Sequence, residues 1–282
     1  MVSGYAYKRE ILNTERLHKP YKNTKRKNQV AHWVTTLFFL VVLCFNLGCN
    51  NESAPDCLQN SGEIIQTEIV VDDFSKITVF ENVSLVLKYG EEQKVEIETG
   101  EYLLDEVSAT VQDGRLLLRD TNDCNYFREY GLTKIFVTSP NLTEIRSSTG
   151  WPVTSDGVLS YAGLSLISES FINPESETTD GEFDLQLAVQ DLNVVVNGIA
   201  YFKLSGTAEN LSLNIAAGDS RIEAENLLAD EVIINHRGSN DMLVNPQESI
   251  RGSIRSVGNV ISFNRPAEID VQEDYKGKLI FR

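Results

Sequence analysis

The sequence contains little histidine and little cysteine, and both shortages restrict its chemistry. Of three histidines, only His236 lies beyond residue 48, which argues against a histidine-based triad or metal site in the main part of the chain. None of the four cysteines has the Cys-x-x-Cys spacing of a zinc site, and no Gly-x-Ser-x-Gly hydrolase motif occurs. We therefore predict no metal, no cofactor and no nucleophile-based active site.

Basic residues are scarce after the N-terminal segment. Residues 1–48 hold eight of the 25 Lys and Arg but two of the 41 Asp and Glu, which leaves 17 basic against 39 acidic residues in residues 49–282. That part of the chain has a formal charge of −22. Its field repels phosphate groups, so nucleic acid and anionic lipid headgroups are poor partners.

The N-terminal segment has the pattern of an export signal. A basic run at residues 22–27 precedes the mostly apolar residues 33–48. A mostly apolar stretch of about sixteen residues suits a signal peptide better than a membrane-spanning helix. We predict a lipoprotein-type signal peptide over residues 1–48.

The end of this apolar run resembles a bacterial lipobox. Gly48 is a small residue directly before Cys49, although Asn46 stands where the pattern prefers leucine. The resemblance implies that Cys49 is lipidated and anchors the protein to a membrane. An uncleaved anchor and simple secretion are the alternatives. Residues 49–62, which begin with a polar run, are then a tether.

Two cysteines fall in the part of the chain that we expect to fold. Cys57 and Cys124 are an even pair in a chain that is predicted to be exported. A disulfide is favoured over a metal site in that setting, and two unrelated free thiols are the alternative.

Residues 63–140 have the alternation of short β-strands. Apolar and polar residues alternate in residues 76–80, 83–89 and 94–99, which predicts strands with one wet face. Asp113-Gly114 lies between two such runs and predicts a tight hairpin.

The C-terminal part has a regular glycine period. Glycines recur every twenty residues, and each is closely preceded by an alternating apolar run, at Gly198, Gly218, Gly238 and Gly258. Such a period predicts an all-β protein: a β-helix or solenoid-like stack of rungs of about twenty residues, preceded by antiparallel β-hairpins. We place one domain at residues 63–282, with N-terminal strands to residue 140 and a repeat array and cap after it.

Two polar segments interrupt the array. Residues 171–183 predict an insertion loop, which in solenoids projects from one face and is either a binding element or an inert acidic bulge. Residues 270–278 are charged and predict a cap before a closing strand at residues 279–281.

Exposed aromatic rings are the candidate binding residues, because sugars stack on them. Ordinary packing of the same rings in the core or cap is the alternative. The candidates are Trp151, Tyr161, Phe171, Tyr126, Tyr130 and Phe127.

Carboxylates at alternate positions offer a second possibility, an enzyme acting on envelope polysaccharide. Glycoside hydrolysis needs paired carboxylates, and elimination needs a base beside acidic groups. Two sets of residues each stand at alternate positions of one strand region, which would place each set on a common outward face. Charge alternation on the wet face of a strand is the simpler explanation of both. The sets are Asp219, Arg221, Glu223 and Glu225, and Asp180, Glu182 and Asp184.

Several segments resemble the head GIN domain family, a group of adhesin-like lipoproteins of Bacteroidetes-type bacteria. The resemblance is carried by residues 74–79, 83, 85–90, 148–150, 197–200, 204–211, 216–219 and 256–259. It implies a β-helix-like fold, an envelope location and an adhesin-like role, and it brings no catalytic residues with it.

The sequence thus predicts an outer membrane lipoprotein, periplasmic or surface-exposed, that is held by a lipid anchor. Its expected role is adhesin-like binding of glycans or envelope proteins. A polysaccharide-acting enzyme and a structural envelope protein without a small ligand are the alternatives.

Overall fold

The computed structural model describes residues 32–38, 56–126, 128–171, 175–176 and 178–282. Residues 32–38 are helical and belong to a first unit, Met1–Gly48. None of the helices in the described ranges is long and apolar enough to span a membrane. The predicted lipidation site, Cys49, falls outside these ranges, as does most of the predicted signal peptide.

The second unit, Cys49–Arg282, is built almost entirely of strands, because its alternating apolar residues each have one side to bury. The described part has two short 3-10 helices, Asp56–Leu58 and Leu104–Glu106. Its strands are β1 (Ile64–Ile69), β2 (Lys76–Val79), β3 (Ser84–Tyr89), β4 (Lys94–Gly100), β5 (Val107–Gln112), β6 (Arg115–Asp120), β7 (Lys134–Ser139), β8 (Glu144–Ser147), β9 (Pro152–Ser168), β10 (Glu182–Gly198), β11 (Tyr201–Gly218), β12 (Arg221–His236), β13 (Met242–Ile254), β14 (Val260–Ser262), β15 (Glu268–Glu273) and β16 (Leu279–Phe281).

These strands form one continuous sheet that is wound into coils. The first half of β9 pairs with β3, and its second half pairs with β8. At the other end of the array, the first half of β13 pairs with β14 and its second half with β15. Each long strand from β9 to β13 therefore bends midway. The first halves of these strands stack in one column of parallel strands, the first column, and the second halves stack in another, the second column. The prediction of an all-β, β-helix-like stack is confirmed.

The register between neighbouring strands has the predicted period. Glu182 pairs with Tyr201, nineteen residues later, and Tyr201 pairs with Arg221 after another twenty. Met242 pairs with Val260 after eighteen. One coil therefore takes up about twenty residues, and equivalent side chains of successive coils lie above one another.

The recurring glycines lie where one coil passes into the next. Gly218 has a φ of +99°, and a Cβ added there would approach the carbonyl oxygen of Gly198 to 2.1 Å. A Cβ on Gly258 would meet the Asn240 oxygen at the same distance, and Gly277 stands in the same relation to Gly258. Small residues are required because the stacked backbones leave no room at this corner. The period continues to Gly277, one coil beyond the four glycines that the sequence pattern identified.

The N-terminal strands extend both columns and then close them. β2 pairs in parallel with β6 and β8, and β3 pairs in parallel with β7 and β9. Antiparallel strands follow: β5 pairs with β6, β4 with β7, and β1 with β4. The predicted hairpin joins β5 to β6, with positive φ at Asp113 (50°) and Gly114 (71°). Both residues thus have the left-handed conformation that such turns require.

The predicted insertion separates β9 from β10. Pro152 pairs with Glu182, thirty residues later, so this coil is about ten residues longer than its neighbours. The insertion folds back on the first coil, where the Thr178 hydroxyl donates to Glu81 Oε1 at 3.1 Å.

The charged segment at residues 270–278 is partly a strand. β15 pairs in parallel with the second half of β13, from Ser249 against Glu268 to Ile254 against Glu273. The segment therefore adds a strand to the second column before the chain turns into β16, which pairs with β14 as the predicted closing strand.

The hydrophobic core runs along the inside of the coils. Phe183 and Phe202 pair in register and their rings stack, with centroids 4.6 Å apart and planes 5° from parallel. Both are completely buried, as are most inward residues of the two columns. The outward residues are left to form the functional surface.

Candidate functional site

A groove of about 650 Å³ runs along the bends of the long strands. Each strand from β9 to β13 contributes outward side chains to it. Ala188 pairs with Ser160 on one side and with Thr207 on the other, and Thr207 pairs with Leu228. Gln247 of β13 lines the far end. The groove thus crosses five coils in a line that follows the stacking direction.

The length of the groove follows from the strand spacing. Neighbouring strands lie about 4.8 Å apart, so five strands extend over about 19 Å. A second depression of about 410 Å³ shares Gln247 and continues toward Glu248 and Glu268. The site is long and open, which suits an extended ligand better than a compact one.

The floor of the groove consists of inward residues that become smaller along it. Tyr161, Val189 and Ala208 pair in register on β9, β10 and β11, and Ala229 follows on β12. The first three line the groove, although all four are buried. Small side chains at the bend bring the floor close to the backbone and give the groove its depth.

Tyr161 was a predicted binding residue, and the structure places it in this floor. Its hydroxyl donates to the Ser139 carbonyl at 3.2 Å, and its ring packs edge-on against Tyr89 at 5.7 Å. Burial raises the pKa of its phenol. With 6% of the residue exposed, Tyr161 shapes the groove but offers no ring face to a ligand.

Two carboxylates give the groove its charge. Glu209 and Asp230 are exposed and lie on neighbouring coils, and Gln190 lies on the coil before them. Among the residues that the structure describes, no lysine or arginine lines the groove. Within the described ranges, neither carboxylate takes part in an ion pair. This side of the molecule therefore presents negative charge that the protein itself does not neutralise.

Carboxylates on the adjoining sheet surfaces are arranged differently. Lys203 pairs with Asp184 of the preceding coil at 2.9 Å, and Arg251 pairs with Glu231 at 3.1 Å. Glu231 directly follows Asp230, yet it points to the sheet surface and has a cation there. Each pair contributes little stability because both partners are exposed, but it neutralises the surface beside the groove.

The other predicted aromatic residues lie elsewhere. Tyr126 and Tyr130 are exposed near Cys124, and Trp151 packs against Gly131, where a Cβ would approach its ring to 2.5 Å. Phe171 is exposed at the start of the insertion, where its amide donates to Glu169 at 2.8 Å. None of these four lines the groove, and Phe127 lies outside the described residues.

The predicted disulfide is present. Cys57 and Cys124 are bonded across a sequence separation of 67 residues, and the Tyr126 amide donates to the Cys57 carbonyl at 3.2 Å. Closing a loop of this length contributes roughly 4 kcal/mol on the chain-entropy model. The bond holds the start of the second unit against the loop that follows β6.

Asp219, Arg221 and Glu223, from the first set that could have served an enzyme, are engaged in structural contacts. Glu223 accepts hydrogen bonds from the Tyr201 hydroxyl at 2.5 Å and from Arg221 Nε at 2.7 Å. These contacts lower the pKa of Glu223, and the same carboxylate raises the pKa of Tyr201 to about 12. Asp219 accepts from the Ser239 hydroxyl at 2.6 Å, and Glu225 lies further along β12. A carboxylate held ionised in this way is not a proton donor near neutral pH.

The second set straddles the start of β10. Asp184 is paired with Lys203, Glu182 is exposed at the start of β10, and Asp180 lies beside Gly150. Lys203 neutralises the charge of Asp184. Asp180, Glu182 and Asp184 are not among the described residues that line the groove.

His236 is buried in the second column, between coils that carry isoleucine at the equivalent position. It pairs with Ile215 on one side and Ile254 on the other. The Gly238 amide lies 3.4 Å from its Nδ1, and burial lowers its pKa below the ordinary 6.5. No group of three potential metal ligands occurs among the described residues. His236 therefore has a structural position.

The fold and the groove together define a class of protein. The protein is a β-solenoid, a stack of parallel coils with a period of about twenty residues. Its outward side chains line a ligand-sized groove across the stack. The chain belongs to the family described as "Putative auto-transporter adhesin, head GIN domain", whose model matches residues 73–266. The family resemblance of the sequence segments is thereby confirmed.

Solved structures have the same fold. A crystal structure described as a putative adhesin from Bacteroides fragilis has a TM-score of 0.69 at 24% identity, over 79% of this chain and 99% of the other. One described as a putative adhesin from Parabacteroides merdae has a TM-score of 0.55 at 16% identity, over 78% and 97%. No curated protein matches the chain. At these identities the likeness concerns the fold.

Sequence analysis did not find the groove, although one signal was present. Ala188 and Thr207 are small residues at the same position of successive coils, about halfway between the glycine corners. When small outward residues stand at the same position of successive coils, they leave space above the strand bend for a ligand. Exposed aromatic rings, the binding residues that the sequence suggested, do not mark this position.

Proposed function

We propose that this protein is an adhesin-like binding protein of the cell envelope, anchored by a lipid on Cys49. Its β-helical head presents the groove across the coils to an extended partner. The observation that carries this proposal is the groove itself, a long open depression whose two carboxylates, Glu209 and Asp230, have no ion pair among the described residues.

Family membership supports the binding role. The family is described as "Putative auto-transporter adhesin, head GIN domain", and two proteins with the same fold are described as putative adhesins. A solenoid is well suited to such a task, because its stacked coils give a rigid surface along which a partner has many contacts.

The disulfide supports export. Bonds such as Cys57–Cys124 persist in oxidising compartments and are rare in the reducing cytosol. The lipid anchor rests on the signal pattern before Cys49, with two acyl chains sufficient for stable attachment.

Fractionation of the cells that make the protein tests the anchor. The full chain should be in the membrane fraction, and Cys49→Ser should move it to the soluble fraction. Cys44→Ser is the matched control, because it changes a cysteine of the same segment and should leave the protein on the membrane. Unchanged membrane attachment of the Cys49→Ser variant would rule out the lipid anchor.

Binding by whole cells tests the adhesin role. Cells with and without the protein should differ in their binding to arrays of glycans and peptides. Thr207→Arg places a long side chain in the groove and should reduce that binding to the level of cells that lack the protein. Ser108→Arg on β5 is the control, since it also adds an arginine at an exposed strand position. Equal binding by all four cell types would refute the role.

A further inference from the structure

We propose that the groove binds an extended, cationic polypeptide segment whose lysine or arginine side chains pair with Glu209 and Asp230. This inference rests on the proposed function and names the class of partner. Four properties of the groove support it: its length, its charge, its apolar contacts and its lack of an exposed ring.

The length fits a short stretch of extended chain. Five coils extend over about 19 Å, and an extended peptide rises about 3.3 Å per residue, so about six residues fit. Alternate side chains of such a peptide point the same way, about 6.6 Å apart. The side chains of Glu209 and Asp230 lie on adjacent coils and are within reach of two such side chains.

The charge selects a cationic partner. The described lining of the groove contains two carboxylates and no lysine or arginine. Glu231, beside the groove, is paired with Arg251, whereas Glu209 and Asp230 have no ion pair among the described residues and are available to a partner. A formal charge of −22 over residues 49–282 adds a long-range field of the same sign.

The apolar part suits the stems of lysine and arginine. Leu228 is 47% exposed on the groove side, and Ala188 lies two coils away on the same line. Lysine and arginine pack their methylene groups on such surfaces while the charged end reaches a carboxylate. A small inorganic cation would gain nothing from these contacts.

The groove is poorly suited to sugar stacking. The one aromatic residue among its lining, Tyr161, is buried and its hydroxyl is already hydrogen-bonded to Ser139. Sugar rings gain much of their affinity from exposed aromatic faces. A glycan is therefore the alternative outcome of the test and not the expected one.

Fluorescence anisotropy with purified full-chain protein in detergent tests the proposal. The probe is a labelled, end-capped hexapeptide of alternating lysine and alanine, compared with the same peptide carrying glutamate and with neutral oligosaccharides. We expect saturable binding of the lysine peptide alone, weakened as salt is raised because the contacts are exposed to solvent.

Two double variants separate local contacts from overall charge. Glu209→Gln with Asp230→Asn removes both groove carboxylates and should weaken binding about tenfold through loss of two charge-assisted contacts. Glu182→Gln with Asp270→Asn removes two exposed carboxylates outside the groove and should change binding less than about twofold. A thermal melt of each variant checks that it is folded.

The outcomes separate the partner from the function. No binding of the lysine peptide, or equal weakening by both double variants, overturns the cationic-peptide proposal. Binding of a neutral oligosaccharide that Thr207→Arg abolishes also overturns it and leaves the adhesin role standing. Failure of the adhesin role is seen separately, in whole cells that bind equally with and without the protein.

Discussion

Each coil turns twice, and the two turns differ in almost every respect. At the glycine corner, successive backbones touch, as at Gly218 against the Gly198 oxygen. At the bend inside each long strand, the outward side chains leave a groove, and Gly157 has no atom within 4 Å of a Cβ position. The first turn is determined by packing between coils. At Gly157, near the second turn, there is no such contact, although a Cβ on Gly206 would lie 2.0 Å from the Leu187 carbonyl oxygen. The outward side chains beside this turn are available for a partner.

The strongest way to break this comparison is to add one methyl group at the tight corner. Gly218→Ala requires an alanine at positive φ with its Cβ 2.1 Å from a carbonyl oxygen, so the backbone must shift. We expect a loss of about 4 kcal/mol in the free energy of unfolding. Denaturant unfolding measures it, and a loss below about 1 kcal/mol would show that the corner is not tightly packed.

Acid should weaken the same corner through His236. Its pKa is lowered in the fold, so the unfolded chain takes up a proton first as pH falls through 6.5. Stability is therefore full above that pH and decreases below it, by at most about 1.4 kcal/mol per pH unit from this single group. Asp241 is the nearby charged residue, and its field opposes the lowering without cancelling it.

Melts between pH 7.5 and 5.5 measure this dependence. His236→Leu places an apolar side chain between Ile215 and Ile254 and should flatten the slope in that window. The lowered pKa of Glu223 acts only below its ordinary 4.5, outside the window. An unchanged slope in the leucine variant would assign the effect to other groups.

The open bend should tolerate the methyl group that the corner rejects. Gly157→Ala also places alanine at positive φ, +87°, but in open space. We expect a loss of about 1 kcal/mol, from backbone strain alone. Measured beside Gly218→Ala under the same conditions, it separates strain from steric overlap; equal losses would contradict the distinction between the two turns.

The smallest effect is expected in the groove itself. Glu209→Gln with Asp230→Asn changes two exposed carboxylates that have no ion pair among the described residues. Stability should change by less than about 0.5 kcal/mol, while peptide binding falls. Differential scanning calorimetry measures the change, and a large loss would mean that these residues serve the fold.

The difference between the turns also explains what could be predicted from sequence. Gly198 and Gly218 are required by contact between adjacent coils, a constraint that repeats and therefore leaves a period of twenty in the chain. The hairpin at Asp113-Gly114 is equally local, since positive φ selects its residues. Constraints of this kind can be recognised without coordinates.

The groove could not be found in the same way. Ser160, Ala188 and Thr207 stand in line, yet the first two are 28 residues apart and the next two nineteen, because the insertion lengthens one coil and the register shifts within β10. Whether a carboxylate such as Glu209 has a cation beside it depends on neighbouring coils. The alternation of apolar and polar residues along one strand shows neither how residues of different coils align nor which charges lie beside a carboxylate.

The disulfide would have a mechanical consequence if the protein is anchored at Cys49, as we propose. A pull on an anchored head would enter the fold at Cys57 and pass directly through the covalent bond to Cys124. The chain between them, which includes β1 to β6, would bear no tension. Among the described strands, β1 pairs with β4 alone. In a protein whose disulfide is reduced, the same pull would act on β1 and would detach it from the sheet first.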